Sequence, residues 1–229
     1  MRRISRYLPL LFVLVCYIPF ASAQSSFDIG VGFGAVQDKA ASSGLDQNLN
    51  SCALGTAGCT QTPSLSSFML GIGGDLMLWK KFGVGAEVNI QPAKQTYVDL
   101  TSSAASVGLS TLSLQSRVTL YDFNGVFEPV NTKKVAVKLS GGIGGANIKF
   151  YESGSSSNSL VGSQNFSQYF GSSNHFQVHG GAGVQIYLTD HIFVRPQFDI
   201  HYVHNLSQFG RNLITEETVW LGYSWGDRP

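Results

Sequence analysis

The sequence is poor in charge and, beyond its amino-terminal segment, has no long apolar run. Lysine, arginine, aspartate and glutamate make up 13% of the chain, and the formal net charge is +1. A chain so close to neutrality carries no basic surplus for nucleic acid, and we expect no nucleic-acid partner. A membrane-spanning helix needs ~20 consecutive apolar residues, and no later segment has them.

Cysteine is also scarce. Of the three cysteines, two lie beyond the amino-terminal segment, Cys52 and Cys59, in a stretch rich in glycine, serine and threonine. In an exported protein this spacing favours a local disulfide that closes a small loop. A metal site in this stretch would need further soft or imidazole ligands, which it lacks. We therefore predict a Cys52–Cys59 disulfide.

The amino terminus has the features of a secretory signal peptide. Arginines precede an apolar run over residues 7–20, and the small residues at 21–23 form a cleavage-site pattern. Removal of residues 1–23 would leave residues 24–229, about the size of one barrel or sandwich domain.

Alternation with a period of two runs through the rest of the chain. It is clearest in residues 175–204, where apolar side chains share one parity and Gln, His, Arg and Asp share the other. Such alternation is typical of strands with one apolar and one polar face. This segment predicts two strands joined by the turn 189–191. Six further strands are predicted at about 27–36, 67–78, 82–91, 111–123, 134–150 and 214–225.

For the fourth and fifth of these strands, we also predict which side chains lie on the apolar face. In the fourth strand we expect Arg117 to point to the polar side, and we expect these side chains on the apolar side: Leu112, Leu114, Val118 and Leu120. In the fifth strand the alternation changes phase near Gly144 and Gly145, which we interpret as a β-bulge.

The apolar side faces either a protein core or lipid, and three observations favour lipid. The polar faces hold Gly, Ser, Gln and Asn rather than the Lys and Glu that keep a soluble barrel in solution. Long and short connections alternate, as in outer-membrane barrels. Aromatic residues flank strand ends, which favours interfacial belts: Trp79, Phe82, Tyr187, Phe193, Tyr223 and Trp225. A soluble, lipocalin-like periplasmic barrel is the alternative.

Together with Tyr223-Ser224-Trp225 near the end, these features resemble the small outer-membrane β-barrel proteins, the group that includes OmpA-type, OmpX-type and OmpW-type barrels. The resemblance implies an all-β, eight-stranded antiparallel up-and-down transmembrane β-barrel in the cell outer membrane, with short periplasmic turns and long extracellular loops. Its expected partners are outer-membrane lipid, lipopolysaccharide and the barrel assembly machinery, whose signal the terminal aromatics resemble. Surface ligands would meet the long loops: 37–66, 92–110, 151–174 and 205–212.

Counting outwards from the short turns predicts which polar side chains meet. His179 pairs with His201, and Asp199 is a diagonal neighbour of His179. Asp75 is likewise a diagonal neighbour of Glu87, and two acids so close in a lumen require bases.

We therefore predict an interior ion network, with glutamine and histidine filling the gaps, that closes the lumen: Asp75, Glu87, Arg117, Lys138, Arg195 and Asp199. A narrow eight-stranded interior is largely filled by its own side chains. A gated polar path through the same residues is the alternative.

The sequence gives only weak signals of a metal site or a catalytic site. His179, His201 and Asp199 have the side chains of a metal site or a general base, but a further ligand cannot be placed, so we predict hydrogen-bonded filling without metal or other cofactor. His204 and Ser207 near the outer end fit no triad spacing, and neither G-x-S-x-G nor H-E-x-x-H occurs. We expect no enzyme, and a lipid A-modifying activity is the remote alternative.

The expected role is structural or one of surface interaction, in adhesion or envelope integrity. This expectation rests on architecture. A small channel or carrier for small or apolar solutes, which an OmpW-type resemblance would imply, is the second hypothesis.

Overall fold

The structure is a computed structural model that describes residues 26–38, 59–61, 65–101, 109–158, 162–206 and 212–226. The predicted signal peptide, Cys52 and Ser207 lie outside these ranges, and of Cys59 only the backbone is described. The Cys52–Cys59 disulfide therefore stays a prediction. Within the described ranges there is no helix long and apolar enough to cross a membrane. The described residues form ten strands: β1 Phe27–Asp38, β2 Cys59–Gln61, β3 Ser67–Met77, β4 Phe82–Ile90, β5 Gln95–Thr101, β6 Leu109–Asn131, β7 Val135–Asn158, β8 Gly162–Tyr187, β9 Ile192–Val203 and β10 Leu213–Trp225.

Eight of these strands close an antiparallel barrel in the order β1-β3-β4-β6-β7-β8-β9-β10. The ring closes where β1 pairs with β10, from Phe27 opposite Trp225 to Asp38 opposite Ile214. The short strands β5 and β2 extend the sheet beyond the barrel, β5 on β6 and β2 on β5. The predicted eight-stranded architecture is confirmed.

The two ends of the barrel differ. One end, the turn end, carries the connections 78–81, 132–134 and 188–191. The opposite end, the loop end, carries the strands that project furthest.

The outer face of the barrel is apolar over the part nearer the turn end. Side chains such as Ile72 (57% exposed) and Phe123 (64% exposed) stand on this face without protein contacts to cover them. The hairpin of β8 and β9 has its predicted orientation, with Val184, Ile186 and Phe198 exposed. A continuous apolar surface of this kind is unfavourable in water and suits lipid.

The predicted orientation of the fourth strand is wrong. In β6, Val118 and Leu120 are fully buried in the barrel, and Asp122 shares their parity. Tyr121 and Phe123 point outward instead. The apolar residues of this strand point inward because the interior of the loop end is apolar.

The bulge predicted in the fifth strand is also absent. The ladder between β6 and β7 runs without a shift through Tyr121 opposite Gly145 and Asp122 opposite Gly144. Ile148 therefore keeps the inward parity of Lys138 on the same strand. The change of phase in the sequence reflects a change in what the interior contains.

Several predicted loops are strand. β7 and β8 continue as a hairpin through most of 151–174, and β5 lies within 92–110. Their Ser- and Asn-rich sequence gives no alternation because paired backbone groups, rather than a buried apolar face, form this sheet. At the turn end β6 continues to Asn131, and Pro129, which has no N–H to donate, lies at a register shift between Phe127 and Val130.

The apolar interior of the loop end forms a cluster that we call the apolar plug: Val36, Leu65, Met69, Val118, Leu120, Ala146, Ile148, Phe150, Val203, Leu206 and Ile214. Leu65 and Leu206 reach it from segments that connect strands. Gln91 holds the first of these in place, because its amide donates to the Leu65 carbonyl and accepts from the Val118 N–H at 2.9 Å. The second is held by Asn212, whose side-chain oxygen accepts from the Leu206 N–H at 3.0 Å.

Candidate functional site in the barrel lumen

Below the apolar plug, toward the turn end, the lumen holds an ion cluster composed of Asp28, Asp75, Glu87, Glu128, Lys138 and Arg195. Lys138, on β7, is its first centre. The Lys138 Nζ lies 2.5 Å from Asp28 Oδ2, 2.9 Å from Asp75 Oδ2 and 3.4 Å from Glu128 Oε1. All four side chains are buried, so each charge depends on its partners rather than on water.

Arg195, on β9, is the second centre. Its Nη1 lies 2.7 Å from Asp75 Oδ2, and its Nη2 lies 3.3 Å from Glu87 Oε1. The guanidinium also lies 5.4 Å from the Trp220 ring, within the range of a cation–π contact. Asp75 therefore joins both cations, and the ion cluster ties β1, β3, β4, β6, β7 and β9 together across the lumen.

Glutamine amides complete this network. Gln185 donates to Asp28 Oδ2 at 3.0 Å and Gln197 donates to Glu87 Oε2 at 3.2 Å. Gln197 also donates to Asp199 Oδ2 at 2.9 Å, so it connects the ion cluster to the next layer of the lumen.

The structure brings together four of the six residues predicted for the network: Asp75, Glu87, Lys138 and Arg195. Asp199 lies one layer nearer the loop end and makes no ion pair with lysine or arginine among the described residues. Arg117 does not join the network: its guanidinium is on the outer face, 5.7 Å from the Tyr151 ring, because the parity of β6 is the reverse of the one predicted.

Sequence reasoning missed Asp28 and Glu128. Asp28 lies opposite Asp75 in the ladder between β1 and β3. That register is set across a long connection, so it cannot be counted from a short turn. Glu128 lies between the predicted fourth and fifth strands, whereas the structure places it within β6. Its signal is that it shares parity with Asp122 and Asn124, so that a longer β6 points all three into the lumen.

Between the ion cluster and the apolar plug lies a histidine cluster, composed of Asp122, His179, His201 and Glu216. The register pairs His179 with His201, as counting from the turn predicted, and their rings stack with centroids 5.3 Å apart. His179 Nδ1 lies 3.0 Å from Asp122 Oδ1, and His201 Nε2 lies 3.5 Å from Glu216 Oε2. The sequence placed Asp199 beside this pair, whereas Asp122 is the carboxylate in contact with His179. Its role was hidden by the misassigned parity of β6.

The lumen is thus filled in three layers, ionic at the turn end, histidine and acid in the middle, and apolar at the loop end. A family model described as an outer membrane protein beta-barrel domain matches residues 8–225. The chain belongs to this family. It is accordingly an outer-membrane protein, and its turn end is periplasmic and its loop end extracellular, as is general for such barrels.

The chain is similar to several solved structures. A major outer membrane protein from Thermus thermophilus shares its fold and is 10% identical with a TM-score of 0.53, over 88% of this chain and 99% of that chain. OprG from Pseudomonas aeruginosa is 15% identical with a TM-score of 0.48, over 90% and 98%. Ail from Yersinia pestis, solved with the heparin analogue sucrose octasulfate, is 12% identical with a TM-score of 0.47, over 88% and 99%. A search of curated protein sequences finds no match.

The aromatic residues of this outer-membrane barrel lie mostly where the belts were expected. Trp79 and Phe82 are exposed at the periplasmic end. Trp225 stacks on Phe27 with centroids 5.6 Å apart, and Tyr223 packs on Trp225. The recognition of these terminal residues by the assembly machinery stays a prediction.

Phe193 is an exception to the predicted belts. It is buried in the lumen, where Arg195 lies 5.9 Å from its ring, because it shares the inward parity of β9. Tyr187 is a second exception, because it has the inward parity of β8: its hydroxyl accepts from the Gln185 amide, and its ring meets that of Phe193 edge-on at 6.0 Å.

His204, at the extracellular end, makes backbone contacts in this structure. Its N–H donates to the Phe176 carbonyl at 2.8 Å, and its carbonyl lies 3.0 Å from His175 Nδ1. These bonds fasten β9 to the point where β8 leaves the barrel.

Proposed function

We propose that this outer-membrane barrel is a structural and surface-interaction protein whose lumen does not conduct solutes. The observation that carries the proposal is the three-layered filling of the lumen. A solute would have to part both the ion pairs of Lys138 and Arg195 and the apolar plug, which includes side chains from two connecting segments.

The projecting hairpin of β7 and β8 supports a role in surface contact. The two strands stay paired from Tyr151 opposite Tyr169 to Asn158 opposite Gly162. In the described part of the chain, β8 pairs with β9 only from Gln177 onward, so its more distal part has β7 on one side alone. An exposed strand edge of this kind can accept a further strand from a partner, with Ser, Asn and Gln side chains supplying polar contacts.

Basic side chains on the outer face near the extracellular end of the barrel, which we call the outer rim, support a contact with lipopolysaccharide. Arg117 lies directly opposite Lys149 in the ladder, and Lys94 Nζ lies 4.1 Å from the same Tyr151 ring that Arg117 approaches. Like charges directly opposite each other are unfavourable, and an anionic partner relieves this cost. The phosphates of lipopolysaccharide have the required charge at this side of the membrane.

The closed lumen is tested by planar-bilayer recording of the purified, folded chain. We expect no steady conductance. A steady, large conductance, or altered uptake of small solutes in a deletion strain, would favour the channel or carrier hypothesis instead. Lipid A mass spectra that change on overexpression would favour the enzyme.

The surface role is tested by removing the projecting hairpin. Because Tyr151 and Tyr169 lie opposite each other, replacing residues 152–168 with Asn-Gly joins them by a two-residue turn. We expect the shortened barrel to fold, with heat-modifiable gel migration as the control, and we expect it to lose adhesion or envelope integrity to the same extent as a full deletion. Full function in a folded, shortened barrel would contradict a role for this hairpin.

A further inference from the structure

The middle layer of the lumen carries more negative charge than its neighbours balance. Asp199 and Glu216 lie directly opposite each other in the ladder between β9 and β10, and Asp122 faces them from β6. All three carboxylates are buried. In the ranges that the structure describes, no lysine or arginine nitrogen makes an ion pair with any of them, because Lys138 and Arg195 pair with the acids below. Buried carboxylates without a compensating cation are unfavourable.

The two imidazoles of this layer have unused nitrogens. The side chains of His179 and His201 are each 2% exposed, yet the Nδ1 atoms of both rings make no hydrogen bond. The 3.0 Å approach of His179 Nδ1 to Asp122 is close enough for an ion pair but lacks hydrogen-bond geometry. Buried ring nitrogens without a hydrogen-bond partner need an explanation, and a metal ion that accepts their lone pairs provides one.

We propose that the histidine cluster binds one divalent transition-metal ion, of which Zn²⁺ is the probe of choice, through His179, His201 and Asp122. One ligand atom from each residue lies within 4.8 Å of the others. Ligands about 2.1 Å from a tetrahedral ion lie roughly 3.4 Å apart, so closure around the ion requires a contraction of about an ångström. Two imidazoles with a carboxylate form a donor set that Zn²⁺ accepts.

Glu216 has the position of a supporting residue rather than a ligand. His201 Nδ1 lies 3.9 Å from Asp122 Oδ2, on the metal side, while its Nε2 faces Glu216 Oε2 at 3.5 Å. A carboxylate that accepts from the second ring nitrogen fixes the orientation and tautomer of a metal-bound histidine. The ion would supply positive charge where Asp122, Asp199 and Glu216 lack it. The third ligand that the sequence could not place is Asp122.

The layers above and below close this site, so the ion would enter while the barrel folds. The experiment therefore refolds the untagged full chain into detergent with Zn²⁺, removes free metal, and measures zinc by mass spectrometry on the heat-modifiable, folded fraction. We expect about one zinc per chain. Refolding with Co²⁺ should give visible d–d absorption bands that the metal-free barrel lacks.

Variants distinguish this site from adventitious binding. His201→Gln and Asp122→Asn should abolish the bound zinc and the Co²⁺ bands. The matched control, His175→Gln, alters a histidine outside the layer and should retain both. Glu216→Gln should weaken zinc binding by about 10- to 100-fold.

Absence of zinc from the folded chain, or equal zinc in Asp122→Asn and the parent, would overturn the proposal. If His201→Gln does not fold, the proposal is tested by adding a chelator while the parent and Asp122→Asn refold. Chelator should lower the unfolding midpoint of the parent and leave that of Asp122→Asn unchanged, and an equal effect on both would count against the site.

Discussion

Replacing Lys138 with methionine tests the ion cluster most directly. Methionine keeps most of the volume of the lysine stem but removes the charge that contacts Asp28, Asp75 and Glu128. Asp75 keeps Arg195 as a partner at 2.7 Å. Asp28 keeps the neutral amide of Gln185 but has no second cation within ion-pair distance among the described residues.

The expected cost is set by the acids left behind. Removing one partner of a buried ion pair typically costs ~3–5 kcal/mol, because the remaining charge is buried without compensation. We expect Lys138→Met to lower the free energy of unfolding by about that amount. The assay is reversible urea unfolding of the barrel in lipid vesicles, followed by tryptophan fluorescence and by gel mobility.

Two further variants separate this cause from general disruption. Lys80→Met removes an exposed lysine of the 79–81 turn and should be nearly neutral, within ~0.5 kcal/mol. Asp28→Asn combined with Lys138→Met removes the stranded charge and should recover part of the loss. A loss below ~1 kcal/mol for Lys138→Met, or no recovery in the double variant, would refute the reasoning that paired charge holds this layer together.

Three other predictions concern the remaining parts of the barrel. Leu120→Ala opens the apolar plug and should lower the unfolding free energy by ~2–5 kcal/mol, measured by the same titration. Gly32→Val should cost ~1–3 kcal/mol, because a Cβ at Gly32 would lie 3.0 Å from the Trp220 ring, while Gly141→Val on the open outer face should be tolerated. Reversal of charge in Arg117→Glu with Lys149→Glu should weaken the retention of lipopolysaccharide during purification, and unchanged retention would contradict the proposed rim contact.

The parts of the fold that the sequence predicted are those with short-range rules. The β8–β9 hairpin has a tight turn and an uninterrupted alternation, so its lipid-facing side and the His179–His201 pair both follow from counting. The pairing of Asp28 with Asp75 does not follow from counting, since the chain between β1 and β3 is long. The ion cluster could therefore be predicted in part only.

The projecting strands were missed for a different reason. Periodicity detects a strand when its two faces meet different environments. Where β7 and β8 leave the barrel, polar side chains occur on both faces, as at the half-buried Ser153 and the exposed Ser167 and Gln168. Backbone pairing is the same there as in the barrel, but the sequence signal that accompanies it is lost.

On β6 and β7, the apolar residues change from the outer to the inner face, and the height of this change marks the membrane boundary. On β7, Leu139 and Ile143 point outward and Lys138 inward, whereas Ile148 points inward beyond Gly145 and Lys149 takes the outward parity. An apolar side chain gains no hydrophobic stabilisation when it moves from lipid into the lumen. Polar groups therefore fill the lumen at the height of the membrane. Where β6 and β7 extend beyond this height, we infer that water surrounds the wall, and the interior becomes an apolar core as in a soluble protein.

The distances agree with this boundary. From Val135 to Gly145 the strand rises ~33 Å, which at a tilt near 45° spans roughly 23 Å, close to the ~25 Å apolar band of such barrels. The last prediction follows. A fluorophore on Ile143→Cys should be quenched by brominated lipid, and one on Asn147→Cys, only four residues further on the same outer face, should be quenched by aqueous iodide. Equal lipid quenching at both positions would mean that the apolar residues change face because of lumen packing alone.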